Sequence, residues 1–76
     1  MISLFKKFKT DTTMPVIAFV SEYLEKYNLY ARYQQFNKKE LNKILAHDFK
    51  TRMDKFLFNH CDWKRVAERI LEYENI

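Results

Sequence analysis

Not one of the 76 residues is glycine, and only one, Pro15, is proline. Glycine reaches positive φ without steric cost, so tight hairpins, bulges and phosphate-cradling loops depend on it. A chain without it carries no Walker-type or dinucleotide-binding loop, and a β-sandwich or barrel would lack its turns. What remains is helices joined by short polar corners. The expected fold is all-α, a small bundle of three to four helices with a short N-terminal amphipathic segment, forming one domain over residues 1–76.

A chain that is 47% hydrophobic and 17% aromatic is too apolar to stay disordered. A domain of this size nevertheless buries only about 60% of its unfolded surface, so its core must be dense. Pairing with a second copy is one way to complete such a core, which makes a homodimer an open alternative. The single Cys61 cannot form an internal disulfide, whereas small secreted domains usually carry several cysteines. The expected location is therefore cytoplasmic. Residues 1–9 mix apolar and basic side chains but run into Thr10, Asp11, Thr12 and Thr13 before any signal-length apolar stretch develops. No segment is apolar for long enough to span a bilayer. Phe, Tyr, Met, Ile, Asn and Lys, whose codons are AT-rich, supply 35 of the 76 residues, which points to a low-GC source such as a bacteriophage or plasmid.

Along the chain, Ile2, Leu4, Phe5 and Phe8 surround Lys6, Lys7 and Lys9 at helical spacing, predicting one or two amphipathic turns within residues 1–13. Such a piece is too short to be stable alone, and docking on a protein surface fits it better than a membrane interface. Thr12 or Thr13 is placed to cap the next helix, with Pro15 in its first turn. Val16, Val20, Tyr23, Tyr27 and Tyr30 then recur every three or four residues, predicting a helix over 14–36 with Asn28 as its one candidate interruption. Asn37 and Glu40 form a capping box, with Phe36 and Leu41 in the staple positions. The following helix presents Leu41, Ile44, Leu45, Phe49, Met53, Phe56 and Leu57. Either it runs unbroken through 38–59, or it breaks near Phe49 with Thr51 as a second cap. The absence of Gly or Pro favours the unbroken helix. Asp62 caps a final helix over 62–74 carrying Trp63, Val66, Ala67, Ile70 and Leu71, with Cys61 and Val66 as a second staple.

The net charge of +4 is unevenly placed: residues 32–55 hold seven Lys or Arg against Glu40, Asp48 and Asp54. At 100° per residue, Lys39, Lys43 and Lys50 fall within about 40° of one another, opposite Leu45 and Phe49, in a row about 16 Å long. Lys38 and Arg52 flank that row. Such a face can meet successive phosphates of a nucleic acid, although lysine is also the ordinary residue of a solvated helix face. Beside it, Tyr30 and Tyr33 with Arg32, Gln34 and Gln35 offer rings for stacking on bases and polar groups for their edges. The competing reading puts Tyr23, Tyr27 and Tyr30 in the core, with Tyr33 off that stripe. If residues 38–47 and 51–58 were separate helices, Thr51, Arg52 and Lys55 would face DNA in a helix-turn-helix.

Catalysis and metal binding find less support. His47, His60, Cys61 and Asp62 are the right ligand types, but neighbours on a chain seldom converge on one ion. A nucleophilic Cys61 served by His47 or His60 needs a thiolate-stabilising site that the sequence does not show. Asp62-Trp63-Lys64 is half of a metal-dependent nuclease pattern, and helix capping already accounts for Asp62. Glu22 with Glu25 and Glu68 with Glu72 lack apolar surroundings that would split their pKa values, so Lys64, Glu68 and Glu72 read as a solvated charge ladder. The expectation is a regulatory binding protein, not an enzyme, with no cofactor, no metal and no small-molecule substrate. Its expected partner is nucleic acid, met through the basic helix face. The alternative is an inhibitor or adaptor that binds a host protein, motivated by abundant Tyr, Phe, Met and Trp.

Overall fold

The computed structural model describes residues 11–74, so the expected N-terminal amphipathic turns lie outside the described residues apart from Asp11, Thr12 and Thr13. The described chain is all-helical: α1 (Thr13–Lys26), α2 (Tyr30–Gln34), α3 (Lys38–Phe49), α4 (Lys55–Asn59) and α5 (Trp63–Glu72), with no strand among the described residues. A small helical bundle is therefore the architecture. α5 is its central element, packing chiefly on α3 and also on α1 and α2, while α4 leans on α1.

The start of α1 is held from several directions. Asp11, one residue before the expected caps, accepts the Thr13 N–H through Oδ1 at 2.9 Å. The Thr12 hydroxyl, freed from capping, donates to the Leu57 carbonyl at 2.7 Å, and the Thr12 N–H donates to the His60 carbonyl at 3.0 Å. Thr13 Oγ1, fully buried, accepts the Asp62 N–H at 2.8 Å. These two threonines thus stitch the helix start to the corner between α4 and α5. Hydrogen bonds from Thr13, side chain and then backbone, with Arg65 at 3.7 Å, hold the Asp11 carboxyl below the usual carboxylate range.

The helix expected over 14–36 is divided at Asn28, whose φ of 55° is the one positive value at a described residue other than glycine. The Asn28 N–H bonds to the Glu25 carbonyl at 3.2 Å, and the Leu29 N–H bonds to the Leu24 carbonyl at 2.7 Å. That pair is a Schellman ending, with Leu24 in the core and Leu29 packed against the core cluster. Asparagine takes the left-handed position that glycine usually fills, because its short polar side chain tolerates that region better than other residues do. The chain then turns into α2, and Gln34 Nε2 donates to the carbonyls of Ile70 and Tyr73, both at 2.7 Å, tying α2 to the end of α5.

α3 begins where the capping signal placed it: Asn37 Oδ1 accepts the Glu40 N–H at 2.8 Å. Replacing Asn37 with alanine is expected to lower stability by about 1 kcal/mol. Urea unfolding followed by circular dichroism would show the loss as a lower midpoint with an unchanged slope.

The unbroken helix over 38–59 is not what forms. α3 ends at Phe49, and α4 starts afresh under Asp54, not Thr51, with Asp54 Oδ1 accepting the N–H groups of Phe56 at 2.8 Å and Leu57 at 3.1 Å. A helix through residue 58 would be about 31 Å long against about 21 Å for α1, and would overrun the core they share. The turn after Phe49 instead brings Leu57 back beneath Thr12. Asp62 caps α5 as expected, accepting the Lys64 N–H at 3.1 Å.

The core gathers Val16, Ile17, Val20 and Leu24 of α1, Tyr30 and Tyr33 of α2, Leu41, Leu45 and Phe49 of α3, and Val66, Ala67 and Ile70 of α5. Phe49 sits at its aromatic centre. It meets Tyr23 edge-on at 5.2 Å and Phe19 edge-on at 6.1 Å, with Trp63 stacked at 6.5 Å. No buried side-chain polar atom among the described residues lacks a hydrogen-bond partner.

Candidate nucleic-acid interface

With Leu41, Leu45 and Phe49 turned into the core, the opposite face of α3 is left to solvent. Lys39 and Lys43 lie on it, both exposed. Lys50 follows Phe49 with φ −55° and ψ −40°, so it keeps the helical path and stays in register although α3 has ended. The row Lys39, Lys43 and Lys50 thus survives the break, about 16 Å long. His47 joins it, with 89% of its side chain accessible. None of the three lysines forms an ion pair among the described residues, and Lys50 and His47 sit at the negative end of the helix dipole, which favours positive charge.

The flanking cations behave differently. Lys38 Nζ is 2.9 Å from Glu68 Oε2 across the α3–α5 contact, so it is held by an intramolecular partner. Glu68, read with Lys64 and Glu72 as a solvated charge ladder, is the residue of that set that reaches α3. Arg52 Nη1 donates to the Asp48 carbonyl, and its guanidinium lies 5.9 Å from the Tyr23 ring centroid. Arg52 borders a cleft of about 250 Å³ together with Arg32, Asp48 and Tyr33. Arg32 and Arg52 are both exposed, and none of Lys39, Lys43 and Lys50 lines that cleft.

Tyr30 and Tyr33 are not available for stacking on bases. Tyr30 is 5% exposed and lies flat against Tyr73, centroids 3.7 Å apart and planes 8° from parallel. Tyr33 is 8% exposed, and its hydroxyl donates to Asp48 Oδ2 at 2.7 Å. The off-stripe tyrosine is inside because the break at Asn28 turns α2 independently of α1. For the same reason Tyr27, expected in the core, is 54% exposed at the end of α1.

Burial, then the hydrogen bond to Asp48, pushes the Tyr33 phenol up to about 12. Burial, then the charges of Asp62 and Asp11, pushes the Cys61 thiol up to about 11. A nucleophilic cysteine needs the opposite shift, and Cys61 instead donates to the Phe58 carbonyl at 3.6 Å. Both groups keep their protons in the folded chain at pH values where the unfolded chain has lost them. Their stabilising contribution is therefore complete below about pH 9 and is lost as pH rises through the folded values. Melting temperature is expected to fall between pH 9 and 11, and the double variant Tyr33→Phe, Cys61→Ala should fall less steeply; parallel curves would contradict this.

No three His, Cys, Asp or Glu side chains converge on a metal-sized site among the described residues. Asp62 is engaged as a cap, and His60 Nδ1 lies 2.9 Å from the Phe56 carbonyl. The helix-turn-helix geometry does not form either: α4 has five residues, about 1.4 turns, and packs on α1. No described helix is long and apolar enough to cross a membrane. Neither a family model, nor a curated protein, nor a solved structure matches this chain.

Proposed function

We propose that this chain is a non-enzymatic regulatory protein of the cytoplasm that grips the phosphate backbone of nucleic acid through the outward face of α3. The observation that carries this reading is the row of Lys39, Lys43 and Lys50, three exposed cations with no acidic partner among the described residues. Lysine contacts to phosphate set position and affinity and carry little sequence information, so binding is expected to tolerate changes of sequence.

The test is a titration of labelled duplex and single-stranded oligonucleotides at two salt concentrations. Three phosphate contacts on duplex DNA correspond to a slope of about −2.7 in log affinity against log salt, or a roughly 40-fold loss between 50 and 200 mM. No binding at low salt, or binding indifferent to salt, overturns the reading. The exposed Met14 and Phe56 favour a second reading, an inhibitor or adaptor that covers a host protein. A stoichiometric protein captured from a nuclease-treated lysate, with no oligonucleotide binding, would replace the first reading by the second.

A further inference from the structure

α1 carries two apolar rows. One, Val16, Ile17, Val20 and Leu24, is the core seam. The other, Phe19, Tyr23 and Tyr27 at four-residue spacing, runs along its flank and is only partly covered. Phe19 is 38% and Tyr27 54% exposed, and the three rings line a shallow groove of about 260 Å³ whose remaining walls are Glu22 and Lys26. Glu22 has no ion-pair partner among the described residues, and Lys26 Nζ rests 5.6 Å from the Tyr27 ring centroid. An aromatic row with one carboxylate and one ammonium on its rim, four residues apart, complements its own reverse. A two-fold axis crossing near Tyr23 sets that ring against its equivalent, Phe19 against Tyr27 of the second copy, and Glu22 against Lys26 of the second copy, twice over.

We propose that the Phe19–Tyr23–Tyr27 face of α1 is a homodimer interface, in which α1 pairs antiparallel with α1 of a second copy of this chain. The pairing does not depend on nucleic-acid binding. α1 is about 21 Å long, so the contact falls at the small end of specific interfaces and the dimer is weak and concentration-dependent.

Sedimentation equilibrium of the full chain from about 1 μM to 1 mM, with circular dichroism to confirm that each variant is folded, tests the proposal. The wild-type chain is expected to pass from monomer to dimer within that range. Glu22→Lys alone and Lys26→Glu alone each set like charges against one another at both ends of the pair, and should weaken association by about tenfold. The double exchange Glu22→Lys, Lys26→Glu restores both attractions in reverse and should return association to near the wild-type level. Tyr27→Lys should weaken it without unfolding the domain. A wild-type chain that stays monomeric throughout overturns the proposal, whatever else lies on α1. So does a folded double exchange that associates no better than the single variants.

Discussion

Phe49→Ala is expected to lower the stability of this domain by about 3–5 kcal/mol. The side chain is fully buried and touches rings from α1 and α5 at once. Its removal therefore deletes a large apolar transfer and leaves a cavity whose walls come from three helices. Those walls cannot close independently: Trp63 is anchored by its Nε1 donating to the Phe58 carbonyl at 3.2 Å, and Tyr23 is flanked by Tyr27 at 4.8 Å. For a domain this small the loss approaches the whole folding free energy, so the variant should be largely unfolded near 37 °C. Phe56 provides the control, since its ring is exposed and stacks on His60 at 4.3 Å outside the core cluster. Phe56→Ala should change stability by about 0.5 kcal/mol or less. Urea unfolding of the two variants checks the pair, and a loss at Phe49 no larger than at Phe56 would remove Phe49 from the centre of the core.

Replacing Lys39, Lys43 and Lys50 together with alanine is expected to remove most nucleic-acid affinity at 50 mM salt and to flatten the salt slope by about 2.7. The three side chains are exposed and make no ion pair among the described residues, so the variant should keep its fold and its melting temperature within a few degrees. Lys38→Ala is the discriminating companion. Lys38 is already bound to Glu68, so phosphate would have to compete with that carboxylate, and its loss should reduce affinity by about threefold or less. A loss in log affinity for Lys38→Ala equal to one third of the triple variant's, the same per charge removed, would show that overall positive charge, not the α3 row, drives binding.

The helix starts at Asn37 and Asp62 were legible because a cap is a bond between residues two or three apart, decided by side chains that the sequence shows side by side. Asn28 was legible as an interruption for a similar reason, and the bonds that end α1 reach no further than five residues. The lysine row was readable from helical periodicity alone. It outlasted a wrong helix boundary because Lys50 keeps helical dihedrals beyond the end of α3.

Other features were set by residues far away in the chain. α3 stops at Phe49 without glycine or proline, and the returning segment is tied down by the Thr12 hydroxyl, which donates to the Leu57 carbonyl 45 positions away. Tyr33 is inside and Tyr27 outside because α2 turns to meet α5 and Asp48, at separations that periodicity along a single helix does not register. Lys38 is paired with Glu68, 30 residues on. The absence of glycine settled that this chain would be helical, and short polar side chains settled where most of its helices begin. Where α3 ends, which aromatic rings are buried and which cations stay free were decided only by packing, because those outcomes depend on contacts that exist only once the helices have met.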